Sequence, residues 1–267
     1  MHWTLDEVRW GAFEPGRVDP DILKVVKAAA LVEGNSGDYV AYLRSVFADD
    51  PEFVAAAENW GREEVQHGAA LAAWARLADP EFDYDRAMAR FRAGFGLPLD
   101  AQASVRGSRS GELIARCVVE CGTSSFYSAI RDAAEEPVLK EVCHRIAGDE
   151  FRHYRLFHKH LKRYQAAEPL SFARRLRIAL GRVSEASDDE LSMAYWCGNG
   201  AQGEYRREEA FRAYESRAAR LYRRGHVARL VAMIAKAVGL DPQGRLVAFA
   251  QALAWRLLQR RRRLAAA

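Results

Sequence analysis

One stretch of the chain, from Pro51 to Leu77, places its inward-facing residues at strict alternating spacings of four and three. The members of that stripe are Phe53, Ala57, Trp60, Glu64, His67, Leu71 and Trp74. This spacing is typical of one face of a long α-helix packed against other helices. Two of the seven members, Glu64 and His67, are polar, and a buried carboxylate or imidazole needs a partner that compensates for lost hydration.

Three other segments share this helical periodicity, and each carries acidic residues on its stripe. They are about 21–47 with Glu33, about 111–134 with Glu120, and about 137–164 with Glu150 and His153. A polar stretch with Gly and Pro, about 79–110, joins the second and third segments and is long enough to return along a bundle. β-branched residues rarely alternate with polar ones, so the sequence predicts an all-α four-helix bundle with a long crossover between helices 2 and 3.

The remainder of the chain predicts three more helices, at about 169–182, 187–222 and 226–264. We therefore expect a bundle domain over residues 1–167 and a C-terminal helical extension, 168–267, packed on it. The last helix includes the basic run "RLLQRRRRL" at 256–264. Such a run is typical of a solvated helix end, with docking to an acidic partner or a membrane surface as the alternative.

Composition narrows the class of protein. The four cysteines form no CxxC pair and are too sparse for a disulfide scaffold, which indicates a reducing compartment. There is no signal-peptide pattern, and no apolar run approaches the ~20 residues that span a bilayer. The formal charge of +4 is mild and gives no indication of nucleic-acid binding. We expect a cytoplasmic protein without a transmembrane segment.

The acidic stripe residues repeat in two nearly equal halves. Each half has a single Glu followed by a Glu-x-x-His motif: Glu33 with Glu64 and His67, then Glu120 with Glu150 and His153. The single Glu precedes the motif by 31 residues in the first half and 30 in the second. That distance is one trip from mid-helix around a turn to the next mid-helix, and residues i and i+3 point to one side. All six side chains can therefore meet at one level of the core.

Four buried carboxylates repel one another, and each costs several kcal/mol in lost hydration unless cations cancel the charge. Two divalent cations balance four negative charges, and a set of carboxylates with imidazoles suits iron or manganese. The sequence predicts two iron ions, with manganese in one site as an alternative. The competing interpretation, a metal-free bundle with polar layers, is disfavoured by the two matched halves.

A third motif of the same spacing, Glu141-x-x-His144, is not predicted to join the six ligands. Glu141 lies nine residues before Glu150, which at about 100° per residue is a half-turn, so the two cannot face the same core. We assign this pair to an outer face of its helix.

Together, these residues resemble the ferritin-like diiron carboxylate proteins, and within them the soluble acyl carrier protein desaturases, over about residues 20–165. "WGREEVQHG", Trp60–Gly68, is similar to the desaturase helix in which a Trp precedes the metal Glu by four residues and a Gly follows the His. "IAGDEFRH", Ile146–His153, is similar to the second desaturase motif, with its preceding Asp and intervening Arg. In "ECGT", Thr123 has the offset from Glu120 of the desaturase Thr beside the oxygen-binding face.

The resemblance implies roles for residues beyond the ligands. Thr123 would be catalytic, although a hydroxyl bonded back to the carbonyl of residue 119 or 120 is the alternative. Trp60, Asp149 and Arg152 would surround the ligands. A ligand imidazole usually donates its second N–H to a carboxylate, and Asp149 would accept from His67 across the bundle. The alternative for Asp149 is an exposed ion pair with Arg152.

The activity that the resemblance implies is activation of O₂ by a diiron enzyme to attack an unactivated C–H bond of an acyl or other apolar substrate, most of all by desaturation. Aldehyde-deformylating oxygenases, bacterial hydroxylases and rubrerythrins share the six-ligand plan. A hydroxylase or oxygenase acting on another small molecule is thus one alternative. A ferroxidase or peroxidase of rubrerythrin type, without an organic substrate, is another, and a non-catalytic metal-stabilised interaction bundle is a third.

Such an enzyme needs partners and a dry path for its substrate. No flavin, haem or rubredoxin motif occurs, so a ferredoxin-like electron donor is implied, with acyl carrier protein or a small apolar molecule as substrate and a possible homodimer. For the electron-input Trp of plant desaturases, only Trp3 and Trp10 are candidates. Six aromatic residues are candidates to line an apolar tunnel for the substrate, and ordinary core packing is the alternative for them. They are Tyr39, Trp60, Phe126, Tyr127, Phe151 and Phe157.

Overall fold

The computed structural model describes residues 2–185, 189–201 and 203–266, and these ranges contain helices without a strand. Three short 3₁₀ turns, Leu5–Glu7, Trp10–Ala12 and Pro15–Arg17, precede the first α-helix. The α-helices of the described residues are α1 (Pro20–Gly34), α2 (Ser36–Val46), α3 (Pro51–Ala78), α4 (Tyr84–Gly94), α5 (Arg109–Ala133), α6 (Pro137–Ala167), α7 (Phe172–Glu185), α8 (Asp189–Gly198), α9 (Arg207–Leu221), α10 (Arg224–Ala237) and α11 (Arg245–Ala266).

Four of these helices form the bundle, in which α1 packs along α3, α5 packs along α6, and α3 contacts α6. Their inward faces build two apolar clusters, one around Trp74 and Ile130 and the other around Phe53 and Phe157. Each large side chain buried in this way stabilises the fold by about 1.5–3 kcal/mol. The predicted ferritin-like helical bundle is confirmed.

The first predicted helix, 21–47, is wrong as a single element, because the structure divides it into α1 and α2 at Asn35. The local sequence "GNSG" has low helix propensity. The Asn35 side chain is held from both sides: it accepts from Arg92 Nε at 3.0 Å and donates to Asp38 at 3.1 Å. The break comes two residues after Glu33, so this acidic residue lies in the last turn of α1.

A close approach of two helix backbones explains one glycine of the bundle. A Cβ atom at Gly68 of α3 would lie 2.5 Å from the backbone nitrogen and 2.7 Å from the Cα of Gly34 in α1. Backbone atoms cannot move aside as a flexible side chain can, so this position requires Gly. The contact brings α1 and α3 together one turn from the acidic stripe.

The other three bundle helices agree with the predicted segments and have capped starts. Asp50 accepts from the backbone N–H of Phe53, and Ser108 accepts from that of Gly111. Pro137 begins α6 directly after Glu136, whose carboxylate accepts from two backbone N–H groups of the first turn. The crossover between α3 and α5 contains an additional helix, α4.

The prediction of three helices after the bundle is wrong, since the described residues contain five. The second predicted helix separates into α8 and α9, and its start at residue 187 lies outside the described residues. The third separates into α10 and α11 at Gly239, whose φ of 87° ends a helix without strain. Helices α7 and α10 pack on α5, α8 packs on α1, and α11 packs on α9 and α10. Division into two domains stays a prediction. Among the described helices, none combines the length and apolar character needed to cross a bilayer.

Candidate metal centre

Six predicted ligands converge between the two apolar clusters, and none is more than 7% exposed. Two groups of four residues each bring one donor atom per residue to within 4.8 Å of one another: Glu33, Glu64, His67 and Glu150 form one group, and Glu64, Glu120, Glu150 and His153 form the other. Glu64 and Glu150 belong to both groups. The geometry therefore offers two adjacent cation positions that share two carboxylates, each completed by one further carboxylate and one imidazole.

Inside this cluster, the donor atoms are buried without a hydrogen-bond partner in the described residues. The unpartnered atoms are Glu64 Oε1, His67 Nδ1, Glu120 Oε1, Glu150 Oε1 and His153 Nδ1. His67 Nδ1 lies 3.1 Å from Glu150 Oε1, and His153 Nδ1 lies 2.8 Å from Glu64 Oε1, so donor atoms of different ligands lie close together across the cluster. Buried polar atoms are rarely left so, and two cations would satisfy them all.

Chemically, the donor set fits iron or manganese. It has four carboxylates and two imidazoles, and neither group contains a thiol. Burial raises the pKa of the Cys121 and Cys143 thiols, so these core cysteines stay protonated.

Burial and the closeness of the ligands raise the pKa values of several cluster residues. Burial, reinforced by the charge of Glu64, raises the pKa of Glu33 well above its usual range. Burial likewise raises the pKa of Glu120 to about 8. Although burial opposes it, the carboxylates of Glu150 and Glu64 raise the pKa of His67 to about 10. Protons thus compensate part of the buried charge, and divalent cations would displace those protons.

Each imidazole turns its second nitrogen to a carboxylate outside the cluster. His67 Nε2 lies 3.0 Å from Asp149 Oδ2, and His153 Nε2 lies 2.8 Å from Glu63 Oε2. These hydrogen bonds hold both Nδ1 atoms toward the cation positions. Asp149 and Glu63 each directly precede the ligand Glu of their own helix, and each contacts the imidazole of the opposite helix.

The sequence analysis did not identify Glu63 as a residue beside the ligands, although Glu63 precedes Glu64 as Asp149 precedes Glu150. It is 4% exposed. Burial opposes ionisation, but the hydrogen bond and charge of His153 prevail and help to lower the pKa of Glu63 to about 2. The carboxylate is therefore charged when it contacts the imidazole.

Asp149 also links the cluster to the N-terminal segment. Trp3 Nε1 donates to Asp149 Oδ2 at 2.6 Å, and the Trp3 ring stacks on His67 with 6.3 Å between ring centroids. Arg152 pairs with the second oxygen of Asp149, so the two alternatives for this carboxylate coexist. The pair is not exposed at its acidic end, since Asp149 is 1% exposed. Trp10 instead donates to the carbonyl of Leu5.

Trp3 lines a surface groove of about 780 Å³. Basic side chains dominate its wall: Arg9, Arg131, Lys140, Arg145 and Arg152. Glu141 of the third Glu-x-x-His motif also lines this groove, where it pairs with Arg9 and Arg145, and His144 is exposed. The structure thus places that motif on the outer face, away from the cluster.

On α5, Thr123 is half-buried beside the cluster. Its hydroxyl lies 3.3 Å from the carbonyl of Val119, 3.1 Å from that of Glu120, and in contact with Glu150 Oε2. The hydroxyl can donate to one acceptor at a time, so the backbone and the ligand carboxylate compete for it.

The predicted tunnel residues divide into inward and outward positions. Trp60, Phe126, Tyr127 and Phe157 are buried. Phe151 is 45% exposed, so its assignment to a tunnel is wrong: it lies beside Glu150 in sequence but about 100° away around the helix. Tyr39 donates to Glu190 at 2.8 Å. Tyr127 has a closer link to the cluster, because its hydroxyl donates to Glu33 Oε1.

Comparison with known proteins agrees with this architecture. Residues 113–237 match the family model for rubrerythrin. The match covers just under half of the chain and includes Glu120, Glu150 and His153, but it begins after the helices that carry the other three ligands. The match is consistent with the ferritin-like helical bundle fold. No curated protein matches the sequence. The closer resemblance to acyl carrier protein desaturases stays a prediction.

Proposed function

We propose that this protein is a diiron oxidoreductase that activates O₂ to oxidise a C–H bond of an apolar, acyl-type substrate. The observation that carries the proposal is the pair of four-residue groups sharing Glu64 and Glu150, with buried donor atoms left unpartnered. Two irons bound there would supply the redox chemistry that reduces O₂. In desaturation, the substrate loses two hydrogens as a C=C bond forms, and two further electrons and two protons complete the reduction of O₂ to two waters.

The residues around the cluster suit such a reaction. The apolar clusters on either side exclude water from the six ligands, which protects a strong oxidant from side reactions. From Ser110 to Ile130, the residues of α5 are buried except at Val119, Gly122 and Thr123. A Cβ atom at Gly122 would meet nothing within 4 Å. We propose this half-buried part of α5 as the side from which O₂ and substrate approach.

Electrons would arrive on the opposite side, through Trp3. Its indole contacts Asp149, which holds His67, and this forms a continuous path from the groove to a ligand. The basic wall of the groove complements an acidic ferredoxin-like donor. Trp3, rather than Trp10, is therefore our candidate for the electron-input residue.

The test is a single-turnover reaction. Protein loaded with Fe²⁺ and chemically reduced would be mixed with O₂, with or without acyl carrier protein that carries a long acyl chain. The acyl chain would then be analysed by mass spectrometry. We expect a chain lighter by two hydrogens, or one heavier by one oxygen if the enzyme hydroxylates. Glu150→Ala removes a shared ligand and should abolish binding of both ions. Glu141→Ala is the matched control of identical motif spacing and should leave the bound metal unchanged.

The second candidate is a peroxidase of rubrerythrin type, favoured by the family match over 113–237. It would use the same six ligands and reduce H₂O₂ to water with electrons from the donor, without an organic substrate. Unchanged acyl chains together with rapid reductant-dependent turnover of H₂O₂ would select this candidate and reject the first.

A further inference from the structure

The last described helix, α11, carries a continuous apolar stripe on its solvent face. The exposed fractions are 75% for Leu246, 68% for Phe249, 45% for Leu253 and 52% for Leu257. At about 100° per residue, these four side chains lie within an arc of about 80° and extend over about 16 Å. Exposed apolar side chains scattered singly are ordinary, but an aligned row indicates a binding surface.

The opposite face of α11 holds the helix against the rest of the molecule. Val247 is buried, and Gln251 donates to the carbonyl of Ala228 in α10 at 3.0 Å. Arg262 donates to the carbonyls of Ala219 and Tyr222. The helix is thus fixed by its other face, and the stripe is not part of the packing between helices.

Positive charge accompanies the stripe. The sequence of α11 contains six arginines and no acidic residue. Arg256 and Arg263 are exposed and lie along one edge of the stripe, and exposed Arg260 continues its line about one turn beyond Leu257. Arg261 pairs with Glu215 of α9 on the other side. A row of apolar side chains bordered by exposed arginines is the pattern of a helix that lies in the interface of an anionic membrane.

We propose that α11 docks this protein on an anionic lipid surface. The leucines and Phe249 would enter the region between headgroups and acyl chains, and the bordering arginines would bind lipid phosphates. A second copy of the chain fits less well, because pairing two α11 stripes would bring two sets of arginines together. An acidic protein would satisfy the arginines, but the stripe itself contains no polar side chain that could orient one. This docking is independent of the proposed reaction at the metal centre.

The experiment is co-sedimentation of the metal-loaded full chain with lipid vesicles. We expect binding to vesicles that contain phosphatidylglycerol, no binding to pure phosphatidylcholine, and weaker binding as salt is raised. The double variant Phe249→Ser with Leu253→Ser should bind about tenfold more weakly. The matched control replaces two exposed apolar residues of the crossover, Leu99→Ser with Val105→Ser, and should bind as the unmodified protein does.

A second variant separates lost binding from lost folding. Arg256→Gln, Arg260→Gln and Arg263→Gln together change only exposed side chains and should remove the preference for phosphatidylglycerol, with helix content and bound metal unchanged. Binding to neither vesicle, or equal binding to both, would overturn the proposal. So would a dimer that the Phe249 and Leu253 substitutions convert to a monomer, or binding to acyl carrier protein without binding to vesicles.

Discussion

Substitution of Glu63 tests whether a carboxylate outside the cluster controls one cation position. Glu63 lies 2.8 Å from His153 Nε2, and His153 belongs only to the group that contains Glu120. Loss of such a carboxylate typically weakens metal binding about 10- to 100-fold, or about 1.4–2.7 kcal/mol. Glu63→Gln keeps an oxygen that accepts from Nε2 but loses the charge, so we expect about tenfold. Glu63→Leu also leaves the buried N–H unpaired, so we expect about 100-fold.

The assay is anaerobic titration of apoprotein with Co²⁺, in which visible absorption reports each bound ion. The variants should bind the first ion as the unmodified protein does and the second more weakly, with Leu worse than Gln. Asp149→Asn is the mirror-image comparison, because it acts on His67 in the other group. Equal weakening of both ions by Glu63→Leu, or no weakening of either, would refute the assignment of Glu63 to one position.

Three other outcomes follow from the same contacts. Trp3→Phe keeps a ring beside the cluster but loses the indole N–H, so we expect slower reduction by an external donor. The iron content, and the rate of reaction with oxygen after chemical reduction, should be unchanged. Stopped-flow spectroscopy measures the rate of reduction and the rate of reaction with oxygen. Gly68→Ala should lower the free energy of unfolding by about 1–3 kcal/mol in urea titrations, since its Cβ meets backbone, whereas Gly122→Ala meets open space and should not lower it. Removal of divalent cations with a chelator should lower the Tm, because binding to the folded state alone stabilises it, and a Tm identical with and without added Fe²⁺ would contradict a metal centre built from these residues.

The bundle and the meeting of the six residues were predictable because both follow from helix periodicity. An apolar stripe at spacings of three and four determines which side of a helix is buried, and charged residues on that side are conspicuous. The break at Asn35 was not predictable from that pattern, since apolar residues such as Val40 and Leu43 continue the stripe beyond it. The low helix propensity of "GNSG" permits the break, and the side-chain contacts of Asn35 with α4 and α2 hold it at this residue.

The surroundings of the cluster were less predictable, because they depend on how separate helices face one another. Glu63 lies beside a ligand in sequence, where an acidic residue normally belongs to the solvent face. Phe151, which follows Glu150 instead of preceding it, does face outward. The difference is that α6 covers Glu63, and the sequence of α3 alone does not contain that information. Trp3 lies in a segment without periodicity, so its contact with Asp149 required the tertiary structure.

The reciprocal contacts of Glu63 and Asp149 define how α3 and α6 are aligned along and around their axes. A slip of either helix by one residue would move its side chains by about 1.5 Å along the axis and about 100° around it. Such a slip would part Glu63 from His153 and Asp149 from His67 in the same movement. The two helices therefore have one alignment in which both imidazoles are held, and a sequence change that shifts either helix would disable both cation positions together.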